Sequence, residues 1–248
     1  MSSLIKVDGK TYHHHSEMVP AGGAPSPLRD QSENRQAFFK KKKKMPLDNT
    51  AGAYVRLGGH DVLLVIDKRT VAYGSPEWRL IADTAARLEQ CYAALSPQAK
   101  AALARLRAIV FSSKPLRSYA DVKPDIFFYD TDEFRRSDGS YVAPSWTASC
   151  VVHDANHICQ HDNRKAWHGV DAELGCWRLQ VENRDPLGLT QVDVDHLKSF
   201  IANPASILDR AGSGTFDALE MLANLFRGRH VTPCYLPPPE PEEKSGPR

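Results

Sequence analysis

Hydrophobic runs and helical spacings cluster between residues 51 and 236 of the chain. Asp61-Val62-Leu63-Leu64-Val65-Ile66-Asp67 is a short apolar run bounded by charge, and Thr70-Val71-Ala72-Tyr73 follows after a tight connection, so the two predict a β-hairpin. Ser75-Pro76 then supplies an N-cap and a proline for the first helical position, where its missing N–H is no loss. Trp78, Ile81, Ala85, Leu88 and Tyr92 follow at helical spacing. Ser96-Pro97 repeats the start signal, and Leu103 and Leu106 mark a second helix that runs into a strand at Ala108-Ile109-Val110-Phe111. A further strand is expected at Asp125-Ile126-Phe127-Phe128-Tyr129, followed by a polar loop from Thr131 to Gly139.

From residue 146 to 162 there is neither Gly nor Pro, and Val151, Ala155 and Ile158 fall on one face, which predicts a buried helix. Gly169 interrupts it, and Val170 to Asn183 forms a second helix with Leu174, Trp177 and Val181 on its apolar side. Asp185-Pro186-Leu187-Gly188 stops that helix. Two more are expected, Thr190 to Ala202, where Thr190 and Asp193 have the form of a capping box, and Thr215 to Arg227, closed by Gly228. No internal repeat is present, and helices with a few strands in segregated order indicate an α+β fold.

The ends have a different character. Residues 1–50 mix Pro20, Gly22, Gly23, Pro25 and Pro27 with Ser, Asn, Gln and Lys and read as a flexible arm. Pro237-Pro238-Pro239-Glu240-Pro241-Glu242-Glu243 begins an acidic, proline-rich tail over 237–248 that suits neither helix nor sheet. One domain over 51–236 remains.

Composition narrows the functions that fit. The chain has 248 residues, 42% hydrophobic and 25% charged, with a net charge of +2, too little for a field that would draw nucleic acid. The arm holds nine Lys/Arg against five Asp/Glu, most of the excess in the run Lys40 to Lys44. No stretch approaches a membrane span, and the first residues lack the apolar segment of a secretory signal. Five irregularly spaced cysteines suggest thiols in a reducing compartment. The expected location is the cytoplasm, or the exterior reached by a route that needs no N-terminal signal.

The candidate chemistry lies in the buried helix. His153 and His157 are four residues apart, so one helical face aims both imidazoles at one point, as the first two ligands of a zinc ion require. Asp154 stands about 100° round the helix, where a carboxylate can reach a water at such a metal and act as general base. A third ligand has to come from another element, and Glu173 on the next helix qualifies. His161, His168, Cys150 and Cys176 are rivals for that role. His161 converges poorly, because a helix drifts by about 40° over each four-residue step. A carboxylate within an apolar-periodic helix has the greater need of a positive partner, which favours Glu173.

His153-Asp154-Ala155-Asn156-His157 resembles the H-E-x-x-H helix of zincin metallopeptidases, with Glu173 at the place of the downstream glutamate ligand of the gluzincin branch. The resemblance covers residues 97–184 and implies a small zincin-like domain: helix, strand, edge strand, metal helix and glutamate-bearing helix. It further implies Zn²⁺ as cofactor, a peptide or protein substrate laid along the strand at Asp125–Tyr129, and peptide-bond hydrolysis with Asp154 as base. The family's base is glutamate, and aspartate is one methylene shorter, a loss of reach of about 1.5 Å where about 1 Å of misplacement can reduce rate roughly a hundredfold. Two other readings therefore stand beside the peptidase. One is a degenerate zincin-like module that only binds, and the other is a scaffold acting through the basic arm.

Overall fold

The computed structural model describes residues 4–7, 10–13, 50–113, 118–136, 138–204 and 228–231. Strands β1 (Leu4–Val7) and β2 (Lys10–His13) pair as an antiparallel hairpin inside the arm that the sequence reading leaves without regular structure. The rest of that arm, the predicted helix over 215–227 and the tail over 237–248 lie outside the described residues.

The body is α+β. A six-stranded mixed sheet is built from β3 (Thr50–Leu57), β4 (His60–Asp67), β5 (Ala108–Ser112), β6 (Tyr119–Asp121), β7 (Ile126–Asp130) and β8 (Arg229–Val231). Its spatial order is β3-β4-β5-β7-β6-β8, with β4, β5 and β7 parallel and the other pairings antiparallel. The helices are α1 (Pro76–Cys91), α2 (Pro97–Leu103), α3 (Pro144–Asp162), α4 (Val170–Glu182), the single turn α5 (Arg184–Leu187) and α6 (Gln191–Ala202). Among the described residues none is long and apolar enough to cross a membrane.

Alternation along the strands places the core. Val62, Leu64 and Ile66 of β4, Ile109 and Phe111 of β5, and Phe127 and Tyr129 of β7 share one buried cluster with the apolar residues of the helices. The intervening Leu63, Val65, Ala108, Val110 and Ile126 form a second cluster on the opposite face. Apolar residues on both faces explain why these strands read as continuous hydrophobic runs.

Two expectations about strands are corrected. Thr70–Tyr73 is not a strand: the Thr70 and Val71 amides both donate to the Asp67 carbonyl, at 3.1 and 2.9 Å, and turn the chain toward α1. The partner of β4 is β3, joined through Gly58-Gly59 with Leu57 opposite His60. Both glycines have positive φ, 59° and 95°, the requirement of a two-residue hairpin turn. The strand expected as a free edge at Asp125–Tyr129 is also corrected: β7 is interior, flanked by β5 and β6. Its backbone is paired with β5 along its length and with β6 at Ile126–Phe128, so this stretch offers no free edge.

Helix starts follow their local signals. Ser75 Oγ accepts from the Trp78 amide at 3.1 Å, and Ser96 Oγ from the Ala99 amide at 3.3 Å. Thr190 and Asp193 close a reciprocal capping box at the head of α6. Helix α3 starts with Pro144 at its first turn and is buried on every side from Ser145 to Ile158. It lies between α1, α2 and α4 and against β6 and β7, which makes it the central element on that face of the sheet.

Candidate metal centre

The turn between α3 and α4 brings their inner faces together. Arg164 adopts a left-handed conformation, φ 55°, the Lys165 amide donates to the Gln160 carbonyl and the Arg164 amide to the His161 carbonyl, both at 2.9 Å. This is a Schellman closure with arginine where glycine is usual. Gly169, at φ 80°, then caps the start of α4. The chain reverses within a few residues, and the helix faces carrying His153, His157 and Glu173 meet.

Three acceptor groups converge there. His153 Nε2 lies 3.1 Å from His157 Nε2 and 3.1 Å from Glu173 Oε2, while His157 Nε2 lies 3.6 Å from Glu173 Oε1. Ligand atoms bound at 2.0–2.2 Å to one tetrahedral zinc stand about 3.3–3.5 Å apart. The observed spacings, one to each carboxylate oxygen, lie on either side of that range, so the three groups are close enough together to share an ion of this kind. His153, His157, Asp154, Glu173 and Cys176 are each no more than 1% exposed.

Cys176, one turn beyond Glu173 on α4, completes a second grouping. His153, His157 and Cys176 form a buried cluster able to hold a metal ion, with ligand atoms all within 4.8 Å of one another. The thiol nevertheless sits beside the other edge of the His157 ring, 3.6 Å from Nδ1, and accepts from Asn156 Nδ2 at 3.2 Å. Glu173, by contrast, faces both Nε2 atoms. Burial first, and then the Glu173 carboxyl, push the Cys176 thiol well above its ordinary pKa, so in this setting it is a neutral group.

The Nδ1 edges of both rings face glutamines. Gln180 Oε1 lies 2.9 Å from His153 Nδ1, and Gln160 Oε1 lies 3.1 Å from His157 Nδ1. Gln160 carries no chemistry that marks it in the sequence. Its signal is positional, one turn after His157, just as Gln180 shares the face of Glu173.

Asp154 is the anomaly of the site. Both carboxyl oxygens are buried without a hydrogen-bond partner among the described residues. Burial, then the carboxyls of Glu173 and Glu133, push its pKa well above the usual carboxylate range. An unpaired buried carboxyl is costly by several kcal/mol on the order-of-magnitude scale of buried ions, and a nearby cation is the natural compensation.

The other candidate ligands stand apart. His161 is partly exposed, 3.5 Å from Asp162 Oδ1 and edge-on to Trp167, and His168, in the exposed turn, is also edge-on to Trp167. Cys150 is buried one turn before Asp154, its thiol pushed well above its ordinary pKa by burial and then by Asp154. No known family model matches the chain, and no curated protein or solved structure is detectably similar to it.

Proposed function

We propose that this protein is a zinc-dependent hydrolase of zincin type that cleaves peptide bonds. The observation that carries the reading is the convergence of His153 Nε2, His157 Nε2 and the Glu173 carboxyl at 3.1–3.6 Å in a site closed to solvent. Zinc, when bound, supplies Lewis acidity for the scissile carbonyl and makes water a nucleophile at neutral pH. His153 and His157 would hold it through Nε2 and Glu173 through its carboxyl. Asp154, next in sequence to His153 and without a hydrogen-bond partner among the described residues, takes the proton of the attacking water and delivers it to the leaving amine.

A second reading keeps the metal and omits the reaction. It is favoured by the burial of all five side chains and by the interior position of β7, since catalytic zinc sites keep an open position and structural ones are closed. Cleavage of a peptide library by the zinc-loaded full-length chain separates the two. The hydrolase reading expects cleavage by wild type and a loss of at least about a hundredfold in Asp154→Asn. Activity untouched by Asp154→Asn removes the residue as base. Silence in wild type, with cleavage emerging in Asp154→Glu, establishes the binding module instead.

A further inference from the structure

We infer that Gln180 and Gln160 are positioning residues that hold both histidines in the tautomer presenting a bare Nε2 to the metal. The inference rests on the metal-centre reading above and extends it to residues that touch no ion. A ring nitrogen facing an acceptor carries the proton, so the question is which end of each amide faces the ring. Both amides are anchored at the far end. Gln180 Nε2 donates to Ser149 Oγ at 3.0 Å, and the Ser149 hydroxyl donates onward to the Trp146 carbonyl at 2.8 Å, which leaves its oxygen free to accept. Gln160 Nε2 donates to the Ala172 carbonyl at 3.1 Å, an atom that can only accept. In each case the oxygen is the end left for the histidine.

The two Nδ1 atoms therefore carry protons, which leaves Nε2 as the atom each ring would offer to a metal, on the side where the Glu173 oxygens lie. The arrangement is reciprocal across the helix pair. Gln160 on α3 grips the backbone of α4, while Gln180 on α4 grips a side chain of α3. Gly175 keeps room for this, because a Cβ there would lie 3.1 Å from Gln160 Nε2. A clasp between helices needs only the amide nitrogens. That both oxygens end on an imidazole Nδ1 is what assigns the glutamines to the centre, since such partners fix ring orientation and raise ligand basicity.

Long-range proton–nitrogen correlation spectra of the histidine rings, recorded on the full-length chain before and after adding zinc, test this with zinc affinity by chelator competition. Wild type is expected to show Nδ1 protonated on His153 and His157 in both states. Gln180→Leu is expected to lose about 10- to 100-fold in zinc affinity, and Gln180→Glu, which also accepts from Nδ1, to restore it. A role confined to helix packing would lower the melting temperature of both variants without this split. A bare Nδ1 on either ring of wild type, or undiminished zinc affinity in Gln180→Leu, overturns the inference. Should Gln180→Leu fail to fold, the wild-type ring spectra decide alone. Absence of zinc binding by wild type sinks the metal reading, and the ring spectra still decide the tautomer.

Discussion

Asp154 carries an unbalanced electrostatic cost. Its carboxyl is fully buried, both oxygens lack hydrogen-bond partners among the described residues, and Glu173 and Glu133 add repulsion to the loss of solvent. Residues of this kind persist where function or a bound cation requires them. In the metal-free chain Asp154→Asn removes the buried acid, and chemical denaturation at neutral pH is expected to show a gain of about 1–3 kcal/mol. A loss of stability instead would mean that the carboxyl has a structural partner. At this scale the meeting of His153 and His157 was legible in advance, because four-residue spacing on a helix dictates a shared face whatever surrounds it. The glutamines were not. An amide is informative only through what stands at each of its ends, and those partners, Ser149 and Ala172, lie on the opposite helix in each case.

The reversal between α3 and α4 forces the centre together, and it uses arginine in a conformation that glycine adopts without strain. Arg164→Gly is expected to stabilise the fold by about 0.5–1 kcal/mol, measured as a raised denaturation midpoint at unchanged slope. A second device ties the start of α1 to the loop after β7. Glu77 accepts from the Tyr141 hydroxyl at 2.5 Å and from Arg135 at 2.8 Å, and these partners, Tyr141 foremost, hold its carboxyl down to about 2. A carboxyl depressed by folding adds stability above its unfolded pKa, near the ordinary value of 4.5, and loses it as pH falls toward the folded value. Arg135 is half exposed, so screening limits the effect to about 1 kcal/mol. Glu77→Gln is expected to reduce stability by that amount near neutrality, with the difference vanishing by about pH 2. A difference that persists undiminished in acid would contradict it.

Elements with self-contained signals could be read without the fold. Ser75-Pro76, Ser96-Pro97 and the Thr190 capping box each satisfy their own amides and need no distant partner. Strand β3 escaped because Ala51, Gly52 and Ala53 supply little bulk, although Gly58-Gly59 marked its hairpin turn. Thr70–Tyr73 misled because Val71 is buried by a turn rather than by a strand.

For the whole molecule, the decisive feature is where the sheet ends. Whether a strand is an edge depends on residues far away in sequence: β7 becomes interior because β6, and beyond it β8 from near residue 230, pair alongside. No property of Asp125–Tyr129 itself announces this. The interior strand and the closed centre bear on how a substrate would be reached, and neither separates His153, His157 and Glu173. Metal content tests this donor geometry directly. Elemental analysis of the full-length chain, purified without chelator, is expected to find one zinc per wild-type molecule and less than about a tenth of that in His157→Ala and Glu173→Ala. Wild type without stoichiometric metal, or Glu173→Ala that retains it in full, would contradict the account.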